Sequence, residues 1–161
     1  MSPDELPPAA RRVVAALADA GVEVDVVVTG QTARTAADAA AAVGVEVGQI
    51  VKSLVFLAGD EPVLALVSGG NRLDTAKLGA ICGARIARAD ADRVRAVTGF
   101  AIGGIPPLGH PQPLPTYCDA DLLRYDVVWA AAGTPHAVFP IAPDALVHAT
   151  AATVADLASV Q

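Results

Sequence analysis

Lys52 is the first residue here that could do chemistry, because of the company it keeps. It stands in Ile50-Val51-Lys52-Ser53-Leu54-Val55-Phe56-Leu57, an apolar run rich in β-branched residues. Nine of the eleven basic residues are arginine, so a chain with only two lysines, Lys52 and Lys77, has put one into its most apolar stretch. With the two-residue period of a strand, Ile50, Lys52, Leu54 and Phe56 share one face and Val51, Ser53, Val55 and Leu57 the other. Both faces are apolar, which predicts a strand covered on both sides. An ammonium in such a place needs a partner, a lowered pKa or a path to water. Two placements meet that need: a lysine that snorkels from near a strand end, or a cation on the floor of a cleft.

The second candidate is Thr98-Gly99-Phe100-Ala101-Ile102-Gly103-Gly104-Ile105-Pro106-Pro107-Leu108-Gly109-His110, with four glycines and two prolines in the twelve residues after Thr98. Glycine lets backbone amides approach a ligand and proline fixes the path, so the segment can cradle an anion or a nucleoside, or simply connect two elements. Ser68-Gly69-Gly70-Asn71-Arg72 is a glycine-containing loop before a helix, but it matches neither nucleotide-loop pattern and reads as a turn. His110, His136 and His148 offer themselves as bases, and His136, beside Gly133, is the one to test. Cys82 and Cys118 follow no metal-ligand spacing and read as reduced, buried thiols.

The elements that must position these residues follow from periodicity and punctuation. Pro7 and Pro8 open a helix with Val13, Val14, Leu17 and Ala18 at helical spacing and Gly21 as its stop. Residues 22–28 read as a strand, and Thr35 and Asp38 as the cap of an alanine-rich helix ending near Gly44. Gly-Val-Glu-Val recurs at 21–24 and 44–47, which reads as a reused helix stop rather than a repeat. Residues 50–57 and 63–67 form a hairpin around the turn Gly59-Asp60-Glu61-Pro62, and Asp74 caps a short helix through Lys77 to Gly79. Short strands are expected at 83–89, 115–117, 127–132 and 137–141. Asp90 caps a helix carrying Arg93 and Arg95, residues 119–123 form a helical turn, Pro143 starts another helix, and 154–160 closes the chain as a helical turn. Short helices and strands intermixed point to an α/β (α+β type) fold, a single compact domain over 1–161 with a mixed, curved central sheet surrounded by short helices.

With 161 residues, 53% of them hydrophobic and 17% charged, the chain can bury one core and is not disordered. No stretch approaches the ~18 apolar residues of a membrane helix, and the start lacks a basic signal-peptide head, so a soluble, cytoplasmic protein is expected. A net charge of −6 excludes a broad basic surface for duplex DNA but leaves local phosphate binding open, with Arg72, Arg85, Arg88, Arg93 and Arg95 as candidates.

Gln49-Ile50-Val51-Lys52-Ser53-Leu54-Val55-Phe56, Asn71-Arg72-Leu73-Asp74 with Lys77-Leu78, the segment 98–109 and Ala132-Gly133-Thr134-Pro135 occur together and in order. On these residues the chain resembles the YbaK/ProX/EbsC family of aminoacyl-tRNA deacylases, over about residues 32–157, including the editing insertion of bacterial prolyl-tRNA synthetases. The resemblance implies hydrolysis, in trans, of the ester that joins a wrong amino acid to the terminal adenosine of a tRNA. It implies no cofactor and no metal, an aminoacylated tRNA 3′ end as partner, and leaves room for an aminoacyl-tRNA synthetase as a second one. Lys52 matches the family's essential lysine, and Gly103 and Gly104 lie in the segment that presents amides to the developing oxyanion. Ser53, Phe56, Ile105, Pro106, Gly109, Gly133 and His136 are the expected substrate contacts, while Arg72, Arg93 and Arg95 are carried over as phosphate candidates from the charge balance and not from the resemblance. The substrate's own ribose hydroxyl is implied as the assistant to water attack. Relatives acting on cysteinyl-tRNA carry serine and aspartate where this chain has Ala131 and Val138, which with Phe56 would suit a small apolar amino acid such as alanine. The rival reading keeps the pocket without catalysis, as a module that binds tRNA ends or nucleotides beside a synthetase.

Overall fold

The computed structural model describes residues 6–29 and 35–159. Its helices are α1 Pro8–Asp19, α2 Ala36–Val43, α3 Thr75–Cys82, α4 Ala91–Thr98 and α5 Pro143–Thr150. Its strands are β1 Val27–Val28, β2 Ile50–Ala58, β3 Glu61–Ser68, β4 Ile86–Arg88, β5 Thr116–Asp119, β6 Val128–Ala131, β7 Ala137–Ile141 and β8 Thr153–Ala155. The expected helix starts at Thr35, Asp74 and Asp90 and the expected stop at Gly44 are in place, whereas α3 runs past Gly79, its expected end, to Cys82. Thr35 Oγ1 accepts from Asp38 N, Asp74 from Ala76 N and Lys77 N, and Asp90 from Arg93 N, while Gly44, Gly83 and Gly99 close α2, α3 and α4 in the left-handed conformation.

All eight strands form one mixed sheet in the order β1-β7-β6-β2-β3-β5-β8, with β4 also on β2. β2 and β3 make the central antiparallel hairpin, from Ala58↔Glu61 to Val51↔Ser68. β3 separates the two faces by strict alternation: Leu64 and Leu66 enter a large core with Leu17, Phe139 and Val51, whereas Val63, Ala65 and Val67 enter a smaller one with Leu78 and Leu157. Both faces of the hairpin are therefore covered, as two apolar faces require.

Three further expectations need correction. Residues 22–28 do not form a full strand; only Val27 and Val28 pair, because β7 offers them just Val138 and Ala137. Val22, Val24 and Val26 still lean on the core while Glu23 and Asp25 are exposed, so the alternation is real without a ladder. The hairpin turn is only Gly59-Asp60, since Glu61 and Pro62 already pair with Ala58 and Leu57. Pro62 is tolerated because Leu57↔Pro62 is a pair whose N–H groups point away from each other, and β5 begins only opposite Leu64. The chain's end is no helical turn: residues 153–155 add to β5 as parallel β8, and Ala158 bridges to Leu73, because the edge of β5 has hydrogen-bonding groups to satisfy. Val160 lies outside the described residues.

Candidate functional site

The site is built on a break in the sheet. Along one edge β2 pairs with β6 only at Ile50↔Trp129 and Val51↔Ala130, and with β4 only from Phe56↔Arg88 to Ala58↔Ile86. Residues 52–55 have no ladder neighbour between them. Gly69 N donates to Ile50 O, so Ile50, Lys52 and Leu54 direct their backbone groups at β3. By alternation the N–H and C=O of Ser53 face the break. A cavity of about 500 Å³ opens there, lined by β2, by Thr35, Ala36 and Ala39 of the α2 end, by Ile102, Gly103 and Ile105, and by Ala131, Thr134, Pro135 and Val138. Because it opens at a strand edge, consecutive residues reach it. Lys52 and Ser53 both line it, although alternation sends their side chains to opposite faces. Ser53 Oγ is buried and has no hydrogen-bond partner among the described residues.

Lys52 is half-buried, and its ammonium donates to the backbone carbonyl of Asn71. That carbonyl is held by a polar network which the sequence alone did not reveal. Asn71 Nδ2 donates to Asp119 Oδ2 at 2.9 Å and to Asp121 Oδ2 at 2.7 Å. Asp119, only 1% exposed, also accepts from Ser68 N at 3.1 Å and from Asp121 N at 3.0 Å. Burial lowers the pKa of Lys52 from its ordinary 10.5, and the charge of Asp119 partly offsets this. An acid at the end of the apolar strand Thr116-Tyr117-Cys118-Asp119 was the available signal, read only as the start of a helical turn. Replacing Asp119 with alanine strands several buried donors at once, and a loss of about 2–4 kcal/mol is expected. Urea denaturation of the variant checks this, and a change under ~1 kcal/mol would mean the network is not needed.

The glycine-proline loop is fixed from behind by α1. Arg12 of that helix stacks over the Phe100 ring at 4.3 Å, and His110 meets the same ring edge-on with centroids 6.2 Å apart. His110 Nε2 lies 3.0 Å from Pro106 O, an acceptor only, so the ring carries its proton there. Burial lowers the pKa of His110 despite that contact, which favours the neutral ring. His110 is thus a brace for the loop rather than a base in the cavity. Gly104 packs so closely on the turn at Thr134 that an added Cβ would lie 2.6 Å from Thr134 Cα. Gly133, with φ +90°, would bring a Cβ to 2.9 Å from Ala9 O. Loop, turn and α1 therefore interlock through glycines.

Of the sequence candidates, Lys52, Ser53, Phe56, Gly103 and Ile105 line the cavity, together with Ala131 and Val138. Gly104, Pro106, Gly109 and Gly133 do not; they form the packed wall behind it, Gly109 against Ala16 of α1. His136 is exposed on the turn and lines no described cavity; its carbonyl accepts from Thr29 N at 2.7 Å. Arg93 donates to Asp60 O at 3.2 Å and Arg95 is exposed, both away from the cavity lining. Arg72 and Arg88 do border Lys52. Among the described residues no group of three His, Cys, Asp or Glu side chains could hold a metal, and no helix is long and apolar enough to cross a membrane.

Residues 31–149 match the aminoacyl-tRNA editing domain family. A candidate Cys-tRNA(Pro)/Cys-tRNA(Cys) deacylase of Enterococcus faecalis, EbsC, is 30% identical over 118 residues, covering 72% of each chain. The proline–tRNA ligase of Nitratidesulfovibrio vulgaris is 35% identical over 98 residues, 60% of this chain and 17% of the ligase. Among solved structures, a candidate trans-editing enzyme for prolyl-tRNA synthetase superposes with a TM-score of 0.93 at 52% identity, over 97% of this chain and all of the other.

Proposed function

Starting from the membership of this chain in the aminoacyl-tRNA editing domain family, we propose that it hydrolyses the ester of mischarged tRNA in trans. The observation that carries the proposal is the break in the edge of β2, where a cation, an unpartnered hydroxyl and a loop of glycine backbone meet around one cavity. An aminoacyl ester needs a donor for the oxyanion that forms when water attacks its carbonyl, and preorganised amides and cations in a site shielded from water supply it best. Gly103 lines the cavity at φ +98°, a conformation that leaves its backbone free to face a ligand. Lys52 supplies the cation. Among the described residues, no side chain in the cavity lining is a histidine or a carboxylate. The proton of the attacking water is assigned to a relay through the 2′- or 3′-hydroxyl of the terminal ribose beside the ester to the departing ribose oxygen, which leaves as a free hydroxyl, and the reaction to a metal-independent route.

Phe56, Ala131 and Val138 share the cavity, as the sequence anticipated for a small apolar amino acid such as alanine. Such a pocket discriminates by only ~1–3 kcal/mol per methylene, so selectivity is expected to be graded rather than absolute. A synthetase of the prolyl type, whose editing insertion these residues resemble, is the natural supplier of the mischarged substrate.

The test is deacylation of a full panel of defined aminoacyl-tRNAs, with and without EDTA. Hydrolysis above background of a tRNA bearing a small apolar amino acid, insensitive to EDTA, is expected. Tight binding of tRNA ends with no turnover anywhere in the panel would replace the enzyme with a binding module.

The lowered pKa of Lys52 makes a pH prediction. The charged form is lost as pH rises through a value below 10.5, so binding that depends on the ammonium weakens in that alkaline window and is fully present below it. Titrating the affinity for an amide-linked aminoacyl-adenosine monophosphate, which resists alkaline hydrolysis, reads this limb directly. Lys52→Arg should move the limb out of the accessible range, because guanidinium does not deprotonate there.

A further inference from the structure

A second cavity, of about 600 Å³, adjoins the first on the face of β2 that carries Lys52, Leu54 and Phe56. Those three residues and Arg88 line both, so the two spaces adjoin at the lysine. In the second, Lys52 is joined by Arg72 and Arg88, with Asn71 and Thr75 as polar neighbours and no carboxylate in the lining among the described residues. Three cations thus stand together on a chain whose net charge is −6, with Asp119 behind Asn71 as the acid whose charge Lys52 feels. Neither arginine is ion-paired among the described residues, whereas Lys77 is bound to Asp156 and Arg124 to Asp121. The rim carrying Arg72 is also fixed: Arg72 O accepts from Ser159 N at 2.9 Å, and Asp74 N donates to Leu157 O at 2.7 Å. The ammonium of Lys52 leans to this side, onto the carbonyl of Asn71. Unpaired guanidinium groups on a fixed rim suit phosphate, which they grip through two parallel hydrogen bonds.

We propose that this second cavity binds the phosphodiester 5′ to the terminal adenosine, together with the preceding nucleotide, of the polynucleotide whose aminoacylated end enters the first cavity. The proposal rests on the deacylase reading above. It assigns the first cavity to the ester and its amino acid, the second to the backbone, and Lys52 to the junction between them.

The experiment compares two substrates carrying the same amino acid: aminoacyl-tRNA, and the aminoacyl ester of adenosine, which has no phosphodiester. Arg72→Gln is expected to raise KM for the tRNA about tenfold, as removal of one charge-assisted hydrogen bond does, and to move KM for the nucleoside ester less than about twofold. The slope of log(kcat/KM) against log salt should flatten by roughly 0.7 for each single-strand phosphate that the variant no longer neutralises. Arg72→Lys should recover most of the tenfold loss, which a merely structural role for Arg72 would not do at unchanged melting temperature. Equal effects on both substrates, or no effect on the tRNA, would overturn the proposal. If wild type hydrolyses no aminoacyl-tRNA, the deacylase reading falls, and binding of a fluorescein-labelled CCA trinucleotide decides the subsite instead. Weaker binding by Arg72→Gln then supports it; equal affinities, or no binding to wild type, reject it.

Discussion

Lys52→Ala is expected to lower kcat/KM for aminoacyl-tRNA at least about 100-fold at neutral pH, the scale seen when one preorganised transition-state interaction is removed. The lysine lines both cavities, so its loss removes the cation from both at once. Folding should barely change. The ammonium is half-buried at some desolvation cost, and its one described hydrogen bond is to the Asn71 carbonyl, whose residue stays held by Asp119 and Asp121. A fall in activity with a melting temperature within a few degrees of wild type is therefore the expected pair of results. Activity within threefold of wild type would show that the chemistry lies elsewhere.

Gly104→Ala is the second large effect, and it acts through geometry alone. An added methyl would meet Thr134 Cα at 2.6 Å and the Thr134 N and C atoms at 2.8 Å, all of them backbone. The turn cannot simply yield, because Gly133 is pressed on Ala9 of α1 and Ala132 N is bonded to Ala137 O at 2.8 Å. Overpacking of this kind costs about 1–3 kcal/mol, and a ~1 Å displacement of the loop that carries Gly103 lowers activity on the order of 100-fold. Gly59→Ala is the control. Its φ of +62° also disfavours alanine, but nothing lies within 4 Å and Gly59 lines neither cavity, so stability should drop by ~1 kcal/mol with activity intact. If Gly104→Ala loses stability but keeps full activity, the loop does not position the reacting groups.

Local chemistry was legible wherever one short stretch contained its own cause. Thr35, Asp74 and Asp90 cap their helices as read, and Ile50–Ala58 is the apolar strand that Lys52 interrupts. What could not be read was decided by pairings distant in the chain. Residues 22–28 have a strand's alternation, yet only two find a partner in β7. Residues 153–155 became a strand because β5, more than thirty positions earlier, had a free edge. The Asn71–Asp119–Asp121 network joins residues about fifty apart, and no local pattern in the sequence links them. Ser53 shows the same limit in one residue: alternation assigns its face correctly, but only the break between β6 and β4 brings it to the same cavity as Lys52.

An open strand edge is ordinarily a hazard, since its unpaired amides invite another chain to add on as a further strand. Here the open length is residues 52–55, about 13 Å at strand rise, and it is closed at both ends by β6 and β4. A break this short offers an added strand only a few backbone groups, in the way that very short edge strands blunt edge-to-edge pairing. Its shortness is a filter that acts before any side chain in the pocket is consulted.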